Sequence, residues 1–162
     1  MLDTIVKLIA SELTVYLKQP EDVIVKQYDD SNDFFLVARG ECMVHIIDEQ
    51  GKLIKDYKSL KAQSYFGEIS LIYDCKRTAT VISRKYTTLA RLTKLKFQRV
   101  QTEFPKMKEI LKQGICAYDD RMKHFISQTL TKVDYFSDLT KEVFHDVIYN
   151  MDLEHYSEGT YL

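Results

Sequence analysis

The chain has 162 residues, of which 45% are hydrophobic and 29% are charged, a composition typical of a folded globular protein rather than a disordered one. Lysine plus arginine (23) nearly balances aspartate plus glutamate (24), which argues against binding to nucleic acid or an anionic membrane through an overall positive charge. No apolar run approaches the roughly 20 residues that span a bilayer, and residues 1–10 lack the pattern of a secretory signal.

The first part of the chain changes from a helical to a strand pattern. Residues 2–13 place apolar side chains at helical spacing, which predicts a short amphipathic helix. Between residues 14 and 92, short runs of β-branched and aromatic residues alternate with turn signals such as Pro20 and Gly40. Because an isolated hairpin cannot bury its face, these strands are predicted to close into a sandwich or barrel.

After the strands the helical pattern returns. Phe97, Val100 and Phe104 share one face of a predicted helix that Pro105 ends. An apolar stripe at spacings of four, three, four and three residues predicts a second helix, and its members are Leu111, Ile115, Tyr118, Met122 and Phe125. A third helix is predicted at about residues 140–151.

Two segments of the chain resemble each other. Residues 153–162 repeat residues 16–25 in having a polar turn with an acidic residue beside an apolar strand, and a helix precedes both. We therefore predict two domains within a longer protein. The first comprises residues 1–132, including helices after the strands, and residues 133–162 are the truncated start of a second copy.

The segment YFGEISLIYDCKRTATV, residues 65–81, places single charges in an apolar setting. Gly67 permits close approach of the backbone to a ligand, and a helical turn after it would direct N–H groups at an anion. Arg77 supplies a planar cation that suits a phosphate, whereas the Glu68 carboxylate can accept a hydrogen bond from a sugar hydroxyl. A cyclic nucleotide combines these two groups. The alternative is a structural ion pair between Glu68 and Arg77.

This segment resembles the phosphate-binding cassette of the cyclic-nucleotide-binding domain family, through its F-G-E triplet and the R-T-A triplet that follows. Residues 20–44 also resemble the early strands of that family. The resemblance implies an α+β fold, an antiparallel β-roll (a double-stranded β-helix, jelly-roll-like) with an N-terminal helix and C-terminal helices. It implies that Glu68 binds the ribose and Arg77 the phosphate. The full set of implied ligand-binding residues is Phe66, Gly67, Glu68, Ile69, Ser70, Arg77, Thr78 and Ala79.

Three positions distinguish this chain from many members of the family. Ser70 stands where members often have alanine, a small-for-small change expected to leave the amide of the turn available. Tyr28 stands where glycine is usual, which puts the turn of that hairpin in doubt. Thr78 follows the arginine, as it does in members of the family that prefer cGMP. A threonine hydroxyl can donate a hydrogen bond to the phosphate or to guanine. The sequence therefore favours cGMP over cAMP.

The resemblance also implies a lid over the base. In this family the helix after the roll closes over the purine, and the candidates for the capping residue are Tyr118, Met122 and Phe125. The alternative for these side chains is ordinary packing between helices.

The predicted function is that of a cytoplasmic regulatory module. It would bind cAMP or cGMP and pass the signal through its C-terminal helices to an effector domain of the parent chain, either a cation channel or a protein kinase. The same helices are the expected contact surface of a homo-oligomer. We expect no cofactor, no nucleic-acid partner and no direct membrane contact. The alternative is a structural or interaction domain of the same fold that has lost nucleotide binding.

Catalysis is not predicted. The histidines lie far apart and lack metal-ligand spacing; they are His45, His124, His145 and His155. The cysteines lack C-x-x-C spacing and are predicted to be reduced thiols; they are Cys42, Cys75 and Cys116. We therefore expect neither an enzyme nor a metal site.

Overall fold

The computed structural model describes residues 7, 9–47, 53–116, 130 and 132–151. Positions 9–12 are helical, within the helix predicted at residues 2–13. The strands that follow are β1 (Thr14–Lys18), β2 (Val23–Val25), β3 (Phe34–Arg39), β4 (Glu41–Ile47), β5 (Leu53–Lys61), β6 (Tyr65–Phe66), β7 (Thr80–Ser83) and β8 (Thr87–Leu92). The further helices are α1 (Glu68–Tyr73), α2 (Lys94–Glu103), α3 (Lys106–Cys116), α4 (Asp134–Ser137) and α5 (Lys141–Tyr149).

The strands form two four-stranded sheets. Their orders are β1-β8-β3-β6 and β2-β7-β4-β5, and neighbouring strands pair antiparallel throughout. In the first sheet Tyr16 and Val37 both pair with Leu89 of the central strand β8, which sets the register of three strands. The predicted antiparallel β-roll is confirmed.

The hydrophobic core of the roll lies between the two sheets. Strand β7 buries alternate residues, as a half-buried strand does. The buried cluster consists of Val25, Phe35, Val37, Cys42, Leu60, Phe66, Val81 and Leu89. Complete burial of one such large apolar side chain stabilises the fold by about 1.5–3 kcal/mol. Phe66 belongs to this cluster and directly precedes Gly67, so the core fixes where the cassette segment begins.

Helices α2, α3 and α5 lie in segments for which the sequence pattern predicts helices. Helix α2 buries Phe97 and Val100 and ends at Glu103, with Phe104 as its cap residue directly before Pro105. Helix α3 follows at once and buries Leu111, part of the predicted stripe. Helix α5 confirms the third predicted helix, and Thr140 caps it by accepting a hydrogen bond from the Val143 N–H.

The chain divides into two compact units, Met1–Ala117 and Tyr118–Leu162. The predicted start of a second domain at residue 133 stays a prediction. The three proposed lid residues, Tyr118, Met122 and Phe125, lie outside the described residues. Among the helices that the structure describes, none combines the length and the apolar character needed to cross a bilayer.

Gly40 allows the close turn between β3 and β4, and its replacement tests the packing of that turn. Its φ is 91°, and a Cβ atom there would lie 2.6 Å from the Thr87 Oγ1 and Tyr86 O atoms. We expect Gly40→Ala to lower the free energy of unfolding by about 2 kcal/mol or more, because backbone strain and overlap with the Tyr86 carbonyl add together. Urea denaturation followed by circular dichroism measures this loss.

Tyr28 provides the matched comparison. Its φ is 72° and its side chain is 49% exposed, so glycine at this position relieves strain without removing a buried contact. Tyr28→Gly is expected to unfold at the same urea concentration as the wild type or above it. A Gly40→Ala protein as stable as the wild type would contradict the packing described for this turn.

Candidate functional site

The segment from Phe66 to Ala79 folds as a tight turn, a short helix and a loop. Gly67 has a φ of 84°, and a Cβ atom there would lie 2.5 Å from the Asp33 carbonyl oxygen and 2.6 Å from Arg77 Nη1. Only glycine fits such a position without displacing its neighbours. The backbone therefore approaches Arg77 and the loop after β2 more closely than any side chain would permit.

Arg77 is the centre of this arrangement, and its side chain is only 3% exposed. Nη1 donates to the Gly67 carbonyl oxygen at 3.1 Å and to Ser70 Oγ at 2.7 Å. Nη2 donates to the Asp33 carbonyl oxygen at 2.8 Å and to Ser31 Oγ at 3.2 Å. The guanidinium thus joins the cassette to the loop between β2 and β3.

The backbone of Arg77 binds the same loop. Its N–H donates to the Asp29 carbonyl oxygen at 3.0 Å, and its carbonyl oxygen accepts from the Tyr28 N–H at 2.8 Å. The left-handed conformation of Tyr28 belongs to this pairing. The turn that the sequence left in doubt is therefore formed, with tyrosine in the conformation that glycine adopts most readily.

Burial and two nearby carboxylates act on the Arg77 guanidinium in opposite directions. Burial lowers the pKa of its guanidinium, and the negative charges of Asp33 and Glu68 oppose that shift. Nε is buried and has no hydrogen-bond partner in the part of the chain that the structure describes. A buried donor without an acceptor lowers the stability of the fold by about 1–3 kcal/mol. A ligand acceptor that binds to Nε would remove this cost. A phosphate oxygen fits this requirement.

Glu68 is the first residue of α1 and is 3% exposed. The Glu68 carboxylate is not an acceptor in any of the four hydrogen bonds that the Arg77 side chain makes to described residues. Its charge acts on the guanidinium through electrostatic attraction instead. The simple ion pair considered from the sequence does not account for how Arg77 is held.

The remaining predicted ligand residues surround the same turn. Phe66 and Ser70 are buried, and the others, Ile69, Thr78 and Ala79, are half-buried. The Thr78 hydroxyl makes no hydrogen bond to any described residue, so it is available to a ligand. The structure brings all eight predicted residues to one place, with the lid candidates outside its described part.

Sequence reasoning missed the contribution of the loop between β2 and β3. Ser31, Asp33 and the backbone of residues 28–29 hold Arg77, a role that the sequence analysis did not assign to the run YDDSND at residues 28–33. Two of the four acceptors of the Arg77 side chain are backbone carbonyl oxygens, and a residue of any type can supply such an oxygen. The single serine and the aspartates of this run were the only available signal.

A second arginine lies on the other side of this loop. Arg91 Nη2 is 2.6 Å from Asp33 Oδ2, and Arg91 Nη1 donates to the Tyr16 hydroxyl at 2.7 Å. Beside this pair is a cavity of about 170 Å³ between strands β1, β2, β3 and β8, which Ser31 also lines. It is smaller than the roughly 300 Å³ at which ligand pockets begin and has none of the predicted ligand residues in its wall. We therefore place the candidate site at the cassette.

Helix α3 packs directly on the cassette helix α1. Lys112 Nζ lies 5.3 Å from the centroid of the Tyr73 ring, a cation–π contact between the two helices. Gly114 faces Tyr65, since a Cβ atom there would lie 2.7 Å from the tyrosine hydroxyl. These contacts connect the cassette directly to α3.

Metal ligation and reactive thiols are two kinds of chemistry on which the described residues bear directly. They contain no group of three or more histidine, cysteine, aspartate or glutamate side chains that could hold a metal ion. Burial raises the pKa of the Cys42 thiol to about 11 and also raises that of Cys75, so both thiols are poor nucleophiles.

Comparison with known proteins agrees with this geometry. The family model described as "Cyclic nucleotide-binding domain" matches residues 18–104, just over half of the chain. A cGMP-dependent protein kinase of Plasmodium berghei is 31% identical in a match of length 107, which covers 59% of this chain and 12% of that protein. A cAMP-dependent protein kinase regulatory subunit of Mucor circinelloides is 33% identical over 87 residues, 54% of this chain and 20% of that protein. The chain spans about a fifth or less of these two relatives.

Solved structures show the same fold. The regulatory domain of Toxoplasma gondii PKA, crystallised with cAMP, superposes with a TM-score of 0.66 at 23% identity, covering 71% of this chain and 43% of that one. The Thermus thermophilus catabolite activator protein gives a TM-score of 0.64 at 20% identity, covering 83% of this chain and 59% of that one.

The structural role of Arg77 can be tested without any ligand. Arg77→Lys keeps the charge but offers three donors on one nitrogen, which cannot reach four acceptors spread across a planar fork. We expect the free energy of unfolding to fall by about 2–3 kcal/mol, because buried acceptors lose their charged donor. Urea denaturation measures the change.

Arg84→Lys is the matched control. Arg84 is 56% exposed and lies 3.7 Å from Glu41, so its replacement is expected to change stability by less than about 0.5 kcal/mol. Equal midpoints for Arg77→Lys and Arg84→Lys would contradict the structural role assigned to Arg77.

Proposed function

This chain belongs to the cyclic nucleotide-binding domain family, and from that premise we propose that its cassette binds cAMP or cGMP, with a preference for cGMP. The observation that supports the proposal most directly is the convergence of Gly67, Glu68 and Arg77 on one turn, with a buried Arg77 Nε that lacks an acceptor among the described residues. These groups suit one phosphate and one ribose, which a cyclic nucleotide presents side by side.

The proposed roles follow from the chemistry of each side chain. Arg77 pairs with the phosphate, and the Glu68 carboxylate accepts a hydrogen bond from the ribose 2′-hydroxyl. The Thr78 hydroxyl donates to the phosphate or to guanine. The remaining members of the set, Phe66, Ile69, Ser70 and Ala79, shape the turn around them.

The proposed output is regulatory. Ligand binding changes the contacts of α1, and α3 responds because Lys112 and Gly114 meet Tyr73 and Tyr65. Since the named sequence relatives are a cyclic-nucleotide-dependent kinase and a kinase regulatory subunit, we infer that the effector is a protein kinase rather than a channel. The module itself acts in the cytoplasm without catalysis, and the cyclic nucleotide is its only small-molecule partner.

One observation favours a second candidate, a domain that keeps the fold but binds no nucleotide. Four of the five Arg77 N–H donors already bond to protein acceptors. A structural role accounts for these four hydrogen bonds without any ligand, which favours the second candidate. The two candidates differ in whether any cyclic nucleotide binds.

The binding test changes Glu68 rather than Arg77, because loss of Arg77 would also disturb the fold. Isothermal titration compares cAMP with 2′-deoxy-cAMP, and cGMP with 2′-deoxy-cGMP, in the wild type and in Glu68→Gln. We expect Glu68→Gln to weaken binding of the ribonucleotides about 10- to 100-fold, since a hydrogen bond to a carboxylate is lost. Removal of the 2′-hydroxyl is expected to weaken binding in the wild type and to have little further effect in the variant.

Glu103→Gln, at an exposed position of α2, is the matched control and should bind like the wild type. Urea denaturation of Glu68→Gln checks that the fold is retained. No heat from the wild type at millimolar cAMP and cGMP would overturn the proposal in favour of the second candidate. Equal losses from the deoxy nucleotides in both proteins would remove the ribose role of Glu68.

Thr78 provides a separate test of nucleotide preference. We expect Thr78→Ala to weaken cGMP binding about tenfold and to leave cAMP binding nearly unchanged, because one neutral hydrogen bond to guanine is lost. Thr78→Ser keeps the hydroxyl and should retain the preference. Titration of the three proteins with both nucleotides measures the ratio, and a ratio independent of residue 78 would exclude this hydroxyl as the determinant.

A further inference from the structure

The Nε side of the Arg77 guanidinium offers a phosphate one open donor and one occupied donor. A guanidinium binds a phosphate best through two parallel N–H groups, and the N–H parallel to Nε–H belongs to Nη2. Nε is buried without an acceptor in the part of the chain that the structure describes. Nη2 donates to the Asp33 carbonyl oxygen at 2.8 Å and to Ser31 Oγ at 3.2 Å. The acceptor that takes the Nη2 proton beside Nε is therefore the group that a phosphate has to displace.

The Asp33 carbonyl oxygen lies on the other side of Nη2, the side that faces Nη1. A Cβ atom on Gly67 would lie 2.5 Å from that oxygen, 2.6 Å from Nη1 and 3.5 Å from Cζ of Arg77. On a planar guanidinium, an acceptor on the Nε side of Nη2 is so far from Nη1 that a point satisfying the first two distances would fall close to Cζ, well inside 3.5 Å. Asp33 thus takes the Nη2 proton that points away from Nε, and the proton parallel to Nε–H is left to Ser31.

The course of the loop agrees with this assignment. The Asp29 carbonyl oxygen accepts from the backbone N–H of Arg77 at 3.0 Å, and the Asp33 carbonyl oxygen meets the far end of the guanidinium. Ser31 lies midway between these two residues in the chain, beside the Nε side of the arginine. Its hydrogen bond is the longest of the four that the guanidinium makes to described residues. Ser31 is half-buried and lines the cavity of about 170 Å³, so its hydroxyl has space into which it can rotate.

We propose that the Ser31 hydroxyl occupies the position of one phosphate oxygen on Arg77 and thereby lowers the affinity of this domain for cyclic nucleotides. The inference rests on the proposed function, which supplies the phosphate. Rotation of Ser31 about its Cα–Cβ bond makes the two parallel donors available, while Arg77 keeps its contacts to the Asp33 and Gly67 carbonyl oxygens. The free energy of the lost hydrogen bond is subtracted from the free energy of binding. Ser31 is thus a positioning residue that acts through Arg77.

Isothermal titration of Ser31→Ala with cAMP and with cGMP tests the proposal. We expect both nucleotides to bind about tenfold more tightly than to the wild type, because no hydrogen bond to a hydroxyl has to be broken. The ratio of the two affinities should stay unchanged, since both nucleotides carry the same phosphate group. Ser31→Thr keeps the acceptor oxygen and should bind both nucleotides like the wild type.

Asn32→Ala is the matched control in the same loop. The Asn32 Nδ2 atom donates to Asp74 Oδ1 at 2.7 Å and not to Arg77. Its replacement loosens the loop and is expected to leave both nucleotide affinities unchanged. If Asn32→Ala bound the nucleotides as tightly as Ser31→Ala, loosening of the loop would explain the gain, and the role of the Ser31 hydroxyl would be overturned.

Solvent exchange of the Arg77 side-chain protons, measured by NMR, gives a readout that needs no ligand. In Ser31→Ala the Nη2 protons should exchange faster than in the wild type and in Ser31→Thr, because one of them has lost its acceptor. Unchanged exchange, or affinities equal to or weaker than those of the wild type, would overturn the role of Ser31 while leaving the proposed function intact. Binding by Ser31→Ala but not by the wild type would support that role. No binding by either protein would overturn the proposed function together with this inference.

Discussion

The buried guanidinium of Arg77 holds together parts of the chain that lie far apart in the sequence. Its hydrogen bonds reach Ser31 and Asp33 on one side and Gly67 and Ser70 on the other. A charged group in the interior is stable only when its donors are matched, so the surrounding backbone has to bring acceptors to it. The absence of a side chain at Gly67 follows from this requirement, because a Cβ atom would lie 2.6 Å from Nη1.

The same side chain is therefore both a structural element and the proposed phosphate ligand, and these two roles compete. A nucleotide gains affinity only from contacts that exceed the ones Arg77 already makes. This competition also gives binding a route to the rest of the molecule. Release of a protein contact alters the turn before α1, and α1 is packed against α3 through Tyr73 and Lys112. An arginine free in solvent would bind phosphate without altering any such contact.

The sequence predicted those features that depend on residue type and spacing. Alternating apolar runs predicted the roll, Gly67 predicted a turn followed by a helix, and Pro105 predicted the end of α2. It did not predict the acceptors of Arg77, because backbone carbonyls such as those of Gly67 and Asp33 look alike in any sequence. The hydrogen bond between Ser70 and Arg77 was missed for a related reason. A small residue was expected to be neutral, and only the geometry shows its hydroxyl bonded to the guanidinium.

The four contacts of Arg77 differ in how easily they can be exchanged. Asp33 is fixed from the opposite side, since its carboxylate lies 2.6 Å from Arg91 Nη2, and Arg91 is in turn bonded to Tyr16. Moving the Asp33 carbonyl would disturb that ion pair and strand β1. The Gly67 carbonyl belongs to a crowded stretch of backbone, because a Cβ atom at this residue would lie 2.5 Å from the Asp33 carbonyl oxygen and 2.6 Å from Arg77 Nη1. The two serine hydroxyls, at 3.2 Å for Ser31 and 2.7 Å for Ser70, need only a rotation about the Cα–Cβ bond, so a phosphate displaces them at a lower cost in free energy than the two carbonyl oxygens.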